Sequence, residues 1–161
     1  MTEQRETEQQ RLTRNVNELL AELRVAQAGV QILFGFLLAV VFTPMFAEAE
    51  LLVKVLHLAA VLLAVLATAL LSAPAAWHRM LFREGLRRQI LADGNRVVLA
   101  GLVCLALAVT VTVALIGFVV FGVVALGVLA ALTAACFGYL WFVAPRRLRR
   151  IKQDPPAGSR P

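Results

Sequence analysis

The feature that most constrains this chain is a run of 49 consecutive residues without a charge, from Val97 to Pro145. A helix that crosses a bilayer needs roughly 20 apolar residues. The run is therefore too long for one spanning helix and suits two of them joined by a tight turn. A helix in the core of a soluble protein does not account for such a length.

In the remainder of the chain, too, long apolar stretches alternate with short segments that carry the charges. Of its 161 residues, 60% are hydrophobic and 16% are charged, whereas about a quarter of a soluble domain is charged. Most charges fall in three blocks, 3–24, 79–96 and 146–160. The apolar stretches between the blocks predict an all-α, polytopic membrane protein with four transmembrane helices in two hairpins.

The predicted organisation is a single four-helix membrane domain over residues 11–145, between an acidic disordered tail (1–10) and a basic cytoplasmic tail (146–161). Thr43 and Pro44 mark the end of the first span, and Pro145 is expected to end the fourth helix. The turn between the third and fourth spans is expected at Gly117 or Gly122. The four predicted spans cover residues 28–46, 52–76, 97–116 and 123–144.

Two further helices are predicted on the cytoplasmic side. From Arg11 onward, Leu12, Val16 and Leu19 recur at the spacing of one helix face, which predicts an amphipathic helix that runs into the first span or lies just before it. A basic segment, 77–92, separates spans two and three.

The basic segment combines an apolar line with arginines, as a helix lying in the membrane surface does. Phe82, Leu86 and Ile90 form the apolar line. Asp93, Gly94 and Asn95 are typical turn residues and are expected to close this helix.

The positions of lysine and arginine predict the orientation, because cytoplasmic loops are enriched in both. The outer ends of the two hairpins carry only Lys54. Every other lysine and arginine falls in the N-terminal segment, the segment between spans two and three, or the C-terminal tail. We therefore expect a multi-pass protein of the plasma membrane with both termini in the cytoplasm.

A candidate polar or ion pathway consists of Gln27, Gln31, Lys54 and His57. Ionisable groups inside a membrane are costly and often functional, and histidine exchanges protons near neutral pH. No acidic residue lies in the middle of a predicted span. The alternatives are an interfacial cluster around Lys54 and His57 that sets helix depth, and interhelical hydrogen bonds from the two glutamines.

The arginines beside the spans are candidate contacts for anionic lipid headgroups. They are Arg79, Arg83, Arg87, Arg88, Arg146 and Arg147. No zinc-finger spacing, RNA-binding aromatic motif or basic heptad region accompanies them, so the sequence gives no reason to expect a nucleic-acid partner.

Small residues at a spacing of four mark where helices can approach closely in a membrane. The candidate packing residues are Ala60, Ala64, Thr68 and Ser72 in the second span and Ala130, Ala134 and Gly138 in the fourth. These stripes can join helices within one chain or between two chains of a homodimer.

Signatures of enzymes and bound cofactors are missing from the sequence. It contains no nucleophile elbow, zinc-protease helix, phosphate-binding loop or dinucleotide fingerprint. The two cysteines, Cys104 and Cys136, have no histidine or cysteine at metal-binding spacing. We therefore expect no enzymatic activity, no cofactor and no metal.

Two stretches resemble an uncharacterised family of small bacterial membrane proteins, known chiefly from actinobacteria and described as a domain of unknown function. The first covers residues 17–27 and continues through 29–34; the second is Ala73-Pro74 followed by 78–83. The resemblance extends from residue 12 to about residue 145. It implies four spans and says little about activity.

Two functions follow as hypotheses. The first is a non-enzymatic scaffold, in which the amphipathic N-terminal helix and the basic helix form a cytoplasmic platform for a protein partner. The second is a small oligomeric conductor or transporter of ions or protons, lined by Gln27, Gln31 and His57.

Overall fold

A computed structural model describes residues 8–81 and 87–147 of the protein, with side chains for Arg14, Ala21 and residues 23–77 and 94–147. All elements in this part of the chain are helices. They are α1 (Glu8–Val41), α2 (Pro44–Ala47), α3 (Leu51–Leu81), α4 (Arg87–Phe121) and α5 (Val123–Gly138), followed by a π-helical turn at Tyr139–Val143.

Four helical segments are long and apolar enough to cross a membrane, as predicted. They are Leu23–Val41, Leu51–Trp77, Gly94–Phe121 and Val123–Arg147. At 1.5 Å per residue, even the shortest approaches the roughly 30 Å thickness of the hydrocarbon layer. The first segment begins and ends about one turn earlier than the predicted span at residues 28–46.

The N-terminal helix and the first span form one continuous helix, α1, which is the first of the two predicted alternatives. It begins at Glu8, inside the stretch expected to be a tail, while residues 1–7 lie outside the described part of the chain. Proline is absent from residues 8–41, and the two glycines at 29 and 35 are tolerated within the helix.

The end of α1 is set by Thr43 and Pro44. The hydroxyl of Thr43 accepts a hydrogen bond from the backbone N–H of Phe46 at 3.3 Å, and Pro44 opens the short helix α2. A capping threonine followed by proline is a favoured helix start. Thr43 and Pro44 therefore start α2 as a separate helix, and residues 44–46 do not belong to the first span.

The turn predicted at Asp93, Gly94 and Asn95 is wrong, because α4 runs through all three residues without a break. Gly94 is buried, and a Cβ atom placed on it would lie 3.9 Å from the Cβ of Pro74 in α3. Gly94 therefore lies within a helix interface rather than in a turn, and a Cβ atom there would fit at ordinary van der Waals distance.

The basic segment between spans two and three is divided between its neighbours. Residues 77–81 continue α3, and residues 87–92 begin α4. Phe82, Arg83 and Leu86 lie outside the described residues. The predicted surface helix is therefore not a separate element in the described part of this segment.

Gly122 separates α4 from α5. Its φ of +87° and ψ of −169° lie in a region that only glycine adopts readily. Gly117, the other predicted turn position, is buried within α4. There, a Cβ atom would lie 2.6 Å from Leu129 Cδ1, so Gly117 permits close packing of α5.

Pro145 does not end the last helix, which continues to Arg147. The preceding turn, Tyr139–Val143, is π-helical, and the N–H of Ala144 donates to the carbonyl of Tyr139. Proline in a regular α-helix clashes with the carbonyl four residues earlier. The wider π-turn places that carbonyl differently, which accommodates Pro145 within the helix.

The spanning helices pack in chain order. The most extensive interface joins α3 and α4, α5 packs on α4, and α1 packs on α3 with only a small contact to α4. The buried core comes from α1, α3 and α4, and no residue of α5 is buried. The helices therefore form an open row with α1 at one edge and α5 at the other.

Candidate functional site

The outer end of α3 carries a small polar cluster covered by α2. Lys54, one turn into α3, donates a hydrogen bond from Nζ to the backbone carbonyl of Ala47 at 2.9 Å. Ala47 is the last residue of α2. The ammonium thereby satisfies one of the carbonyls that the end of a helix leaves without a helical donor. Lys54 therefore helps to hold α2 against α3.

His57 lies one turn deeper and is only 3% exposed. The ring of Phe46, from α2, stands 4.7 Å from the imidazole, centroid to centroid, and is tilted by 59°. Among the described residues, the Nε2 atom of His57 has no hydrogen-bond partner. A buried, unsatisfied polar atom of this kind is costly and calls for an explanation.

Two carboxylates lie in the chain between α2 and α3, outside the buried part of this cluster. Glu48 and Glu50 are both exposed, on either side of half-buried Ala49. The buried part of the site is therefore an imidazole beneath an aromatic ring, with a lysine at its edge.

At the opposite end of the protein, Gln27 joins α1 to α3. Its Nε2 donates to the carbonyl of Leu71 at 3.2 Å. Leu71 lies three residues before Pro74, which has no N–H and leaves the carbonyl of Leu70 without its helical donor. Spanning helices tolerate proline where neighbouring groups satisfy the freed backbone. Gln27 donates to the next carbonyl, that of Leu71, and not to the carbonyl of Leu70.

Gln31, one turn further along α1, is exposed. In the described part of the chain its amide forms no hydrogen bond. The four predicted pathway residues therefore occupy separate regions. Gln27 lies where α1 meets Leu71, and Gln31 lies near the middle of the first span. Lys54 and His57 lie at the end covered by α2. Among the described residues, no contact joins these regions into one continuous path within a single chain.

The candidate lipid contacts are described only at the end of the last helix. Arg146 and Arg147 are exposed there. The side chains of Arg79, Arg83, Arg87 and Arg88 lie outside the described part, so their contact with headgroups stays a prediction.

The candidate packing residues divide between the inside and the outside of the row. Ala60 and Ala64 are completely buried, and the buried line continues through Ala67 and Leu71. Thr68 and Ser72 are exposed, and their hydroxyls donate to carbonyls of their own helix. A strict spacing of four drifts around a helix with 3.6 residues per turn, so a spacing of 4-3-4 stays on one face.

The stripe on α5 is only partly covered within the chain. Ala134 is exposed, and Ala130 and Gly138 are half-buried. A Cβ atom placed on Gly138 would meet nothing within 4 Å. This stripe therefore contributes little to packing within the chain.

Several residues of both ends were not predicted from the sequence. Phe46 was assigned to the first span, although Thr43-Pro44 was a usable sign that a new element starts there. One of them is Gly101, which lies against α3, since a Cβ atom on it would lie 2.9 Å from Leu71 Cγ. A glycine within an apolar run is its only sequence signal.

A metal centre finds no support in the described residues, where no three His, Cys, Asp or Glu side chains are grouped to hold an ion.

Comparison with known families gives a match over residues 5–145 to DUF6328, a family of unknown function. The chain belongs to DUF6328. This confirms the resemblance seen in the sequence to an uncharacterised family. No curated protein and no solved structure matches the chain. Membership of DUF6328 agrees with an integral membrane protein of unknown role.

Proposed function

We propose that this protein is a non-enzymatic scaffold of the bacterial plasma membrane, which acts by binding other molecules through the surfaces of its helices. The observation that carries the proposal is the open row of helices. The edge helix α5 has no buried residue, and much of the outer face of α1 is also exposed. Such a row offers two lateral faces to partners within the membrane.

The proposed orientation places both termini in the cytoplasm, with the spans in two hairpins joined by the basic segment. The hydrogen bond from Gln27 to Leu71 brings the beginning of the first span next to the end of the second. Gly101 lies against the same end of α3. Arg24 and Arg96 therefore lie towards one side of the protein, as expected for the cytoplasmic side.

Single-cysteine labelling tests this orientation. In a background carrying Cys104→Ala and Cys136→Ala, Glu48→Cys and Asn95→Cys place one exposed thiol at each end. With a membrane-impermeant maleimide on intact cells, we expect Glu48→Cys to react and Asn95→Cys to react only after permeabilisation. The reverse labelling pattern would overturn the orientation.

The proposed binding surface on the cytoplasmic side is the apolar line of Leu12, Val16 and Leu19, whose side chains lie outside the described part. Crosslinking in cells followed by purification should recover a protein partner with the wild type. Substitution of the three residues by glutamate should release this partner while the protein still inserts. Asn17→Glu, on a neighbouring stripe, is the matched control and should retain the partner.

A second candidate function, conduction of ions or protons by an oligomer, is favoured by the buried Nε2 of His57. Imidazole can bind and release a proton near neutral pH. A path through the bilayer would have to form between copies, because Gln31 and His57 lie in separate regions of one chain.

Flux measurements in proteoliposomes separate the two functions. The scaffold proposal predicts proton, sodium and potassium fluxes equal to those of empty vesicles. A pH-dependent flux that His57→Ala abolishes would favour the conductor instead. A flux that His57→Ala leaves unchanged would still contradict the scaffold proposal and would remove His57 from the path.

A further inference from the structure

The first span carries an exposed amide near its middle. At 1.5 Å per residue, Gln31 lies about 12 Å from Leu23 and about 15 Å from Val41, the two ends of the span. Polar side chains at this depth almost always face protein or a water-filled cavity. Gln31 faces outward from the single chain and has no hydrogen bond among the described residues.

An amide in hydrocarbon without a partner is unfavourable, because nothing in the lipid replaces its hydrogen bonds to water. Gln27 shows how the same side chain is satisfied in this protein, since it donates to the carbonyl of Leu71. Gln31 is one turn along the same helix, rotated about 40° further from the face that is buried against α3, and it is exposed. In the membrane, a group outside the single chain is therefore needed to satisfy its amide.

The face around Gln31 suits close approach by another helix. Ala28, Gly35 and Ala39 are exposed and lie with Gln31 within an arc of about 80° on the helix. A Cβ atom on Gly35 would meet nothing within 4 Å. Small residues let two backbones come close enough for hydrogen bonds between helices. The opposite side of α1, with Leu23, Val30 and Leu37, is buried against the row.

We propose that this face binds α1 of a second copy of the chain, with the two Gln31 amides hydrogen-bonded to each other. An amide is both donor and acceptor, so two identical amides satisfy one another around a two-fold axis. Two copies inserted in the same orientation are related by an axis along the membrane normal. The two copies of Gln31 therefore lie at the same depth in the membrane. A different polar residue would lie at that depth only by coincidence. The proposal depends on α1 crossing the membrane and not on which side is cytoplasmic.

Disulfide crosslinking in proteoliposomes of the purified full-length chain tests the assigned face. In the Cys104→Ala, Cys136→Ala background, Ala28→Cys and Gly35→Cys place thiols on the proposed face. Phe36→Cys is the matched control, since Phe36 is 70% exposed but points about 100° away from Gly35. We expect oxidation to join dimers through residues 28 and 35 and not through residue 36.

Equal crosslinking at all three positions would overturn the proposal, because it would show random collision. Crosslinking at none of them would also overturn it and would leave a different protein as the partner of Gln31. Because no other protein is present, these outcomes do not depend on the proposed scaffold role.

The contribution of the amide is measured by energy transfer between labelled copies at low protein-to-lipid ratio. Gln31→Leu should raise the dissociation constant about threefold to tenfold, the effect expected for one or two interhelical hydrogen bonds. Gln27→Leu removes an amide of the same size that is satisfied inside the chain, and should leave dimerisation unchanged. An unchanged dissociation constant for Gln31→Leu, with helical content retained by circular dichroism, would overturn the proposed pairing.

Discussion

Gly94 of α4 packs against Pro74 of α3, so that a Cβ atom on Gly94 would lie 3.9 Å from the Cβ of Pro74. Two residues usually associated with helix ends thus meet inside the interface between two long helices. Pro74 lies within α3 and Gly94 within α4. Both are buried. Their contact is part of the α3–α4 interface, which also includes Gly101 against Leu71.

Alanine substitutions at Gly94 and Gly101 should have different effects on stability. Gly101→Ala places Cβ 2.9 Å from Leu71 Cγ and 3.1 Å from Leu70 Cβ, which forces the helices to shift. We expect Gly101→Ala to lower the free energy of unfolding by about 1–3 kcal/mol. The Cβ of Gly94→Ala would lie at ordinary van der Waals distance from Pro74, so this substitution should leave the free energy of unfolding unchanged. Unfolding in detergent, followed by circular dichroism, measures both, and equal stabilities of the two variants would contradict the assigned interface.

Gly122→Ala should destabilise the connection between α4 and α5. The positive φ of Gly122 strains any residue with a Cβ atom, at a cost of about 1–3 kcal/mol. Gly127→Ala is the control, because Gly127 is helical and a Cβ atom there meets nothing within 4 Å. In detergent, the midpoint of thermal unfolding should be lower for Gly122→Ala than for the wild type. For Gly127→Ala it should equal or exceed that of the wild type. An unchanged unfolding midpoint for Gly122→Ala would contradict the positive φ of residue 122 in this turn.

His57→Leu should stabilise the protein if the imidazole has only a structural role. The substitution removes a buried Nε2 that lacks a hydrogen bond, and an atom of this kind costs about 1–3 kcal/mol. Leucine keeps the apolar contact with Phe46. The midpoint of thermal unfolding in detergent checks this prediction. A large loss of stability would show that His57 has a partner, such as a second chain or a bound ion, in the folded protein.

Gln27→Leu should weaken the attachment of α1 to α3. The variant loses the hydrogen bond to the carbonyl of Leu71, and bonds of this kind between spanning helices contribute about 0.6–2 kcal/mol. Hydrogen exchange of the backbone near residue 71 should increase together with the loss of stability. Gln31→Leu, measured in monomeric detergent solution, is the control and should not change exchange at that position.

The number of spans could be predicted from the sequence because hydropathy alone determines which segments cross a membrane. The turn at Asp93, Gly94 and Asn95 was wrongly predicted because residues that favour turns can also lie within a long helix when tertiary packing favours the helix. Local sequence does not contain the information that distinguishes these outcomes. Here it is supplied by Pro74, which is distant in sequence.

The candidate sites show a similar limit. Ala60 and Ala64 could be found from their spacing, whereas Ala67 and Leu71 required knowledge of which face meets α4. The sequence also gave no indication that Phe46 covers His57, because this contact depends on α2 folding back after Thr43. The contrast between Gln27, bonded within the chain, and Gln31, facing outward, likewise depends on how α1 is rotated against α3.

The open row has a consequence for how the protein is made. Each spanning helix has its largest interfaces with helices adjacent in the chain, and the edge helices α1 and α5 barely meet. A span that leaves the ribosome therefore finds its partner already in the membrane, and no earlier contact has to be broken to admit a later helix. Contacts that are local in sequence form quickly. Assembly in order of synthesis would leave the exposed edges as the last surfaces to be covered.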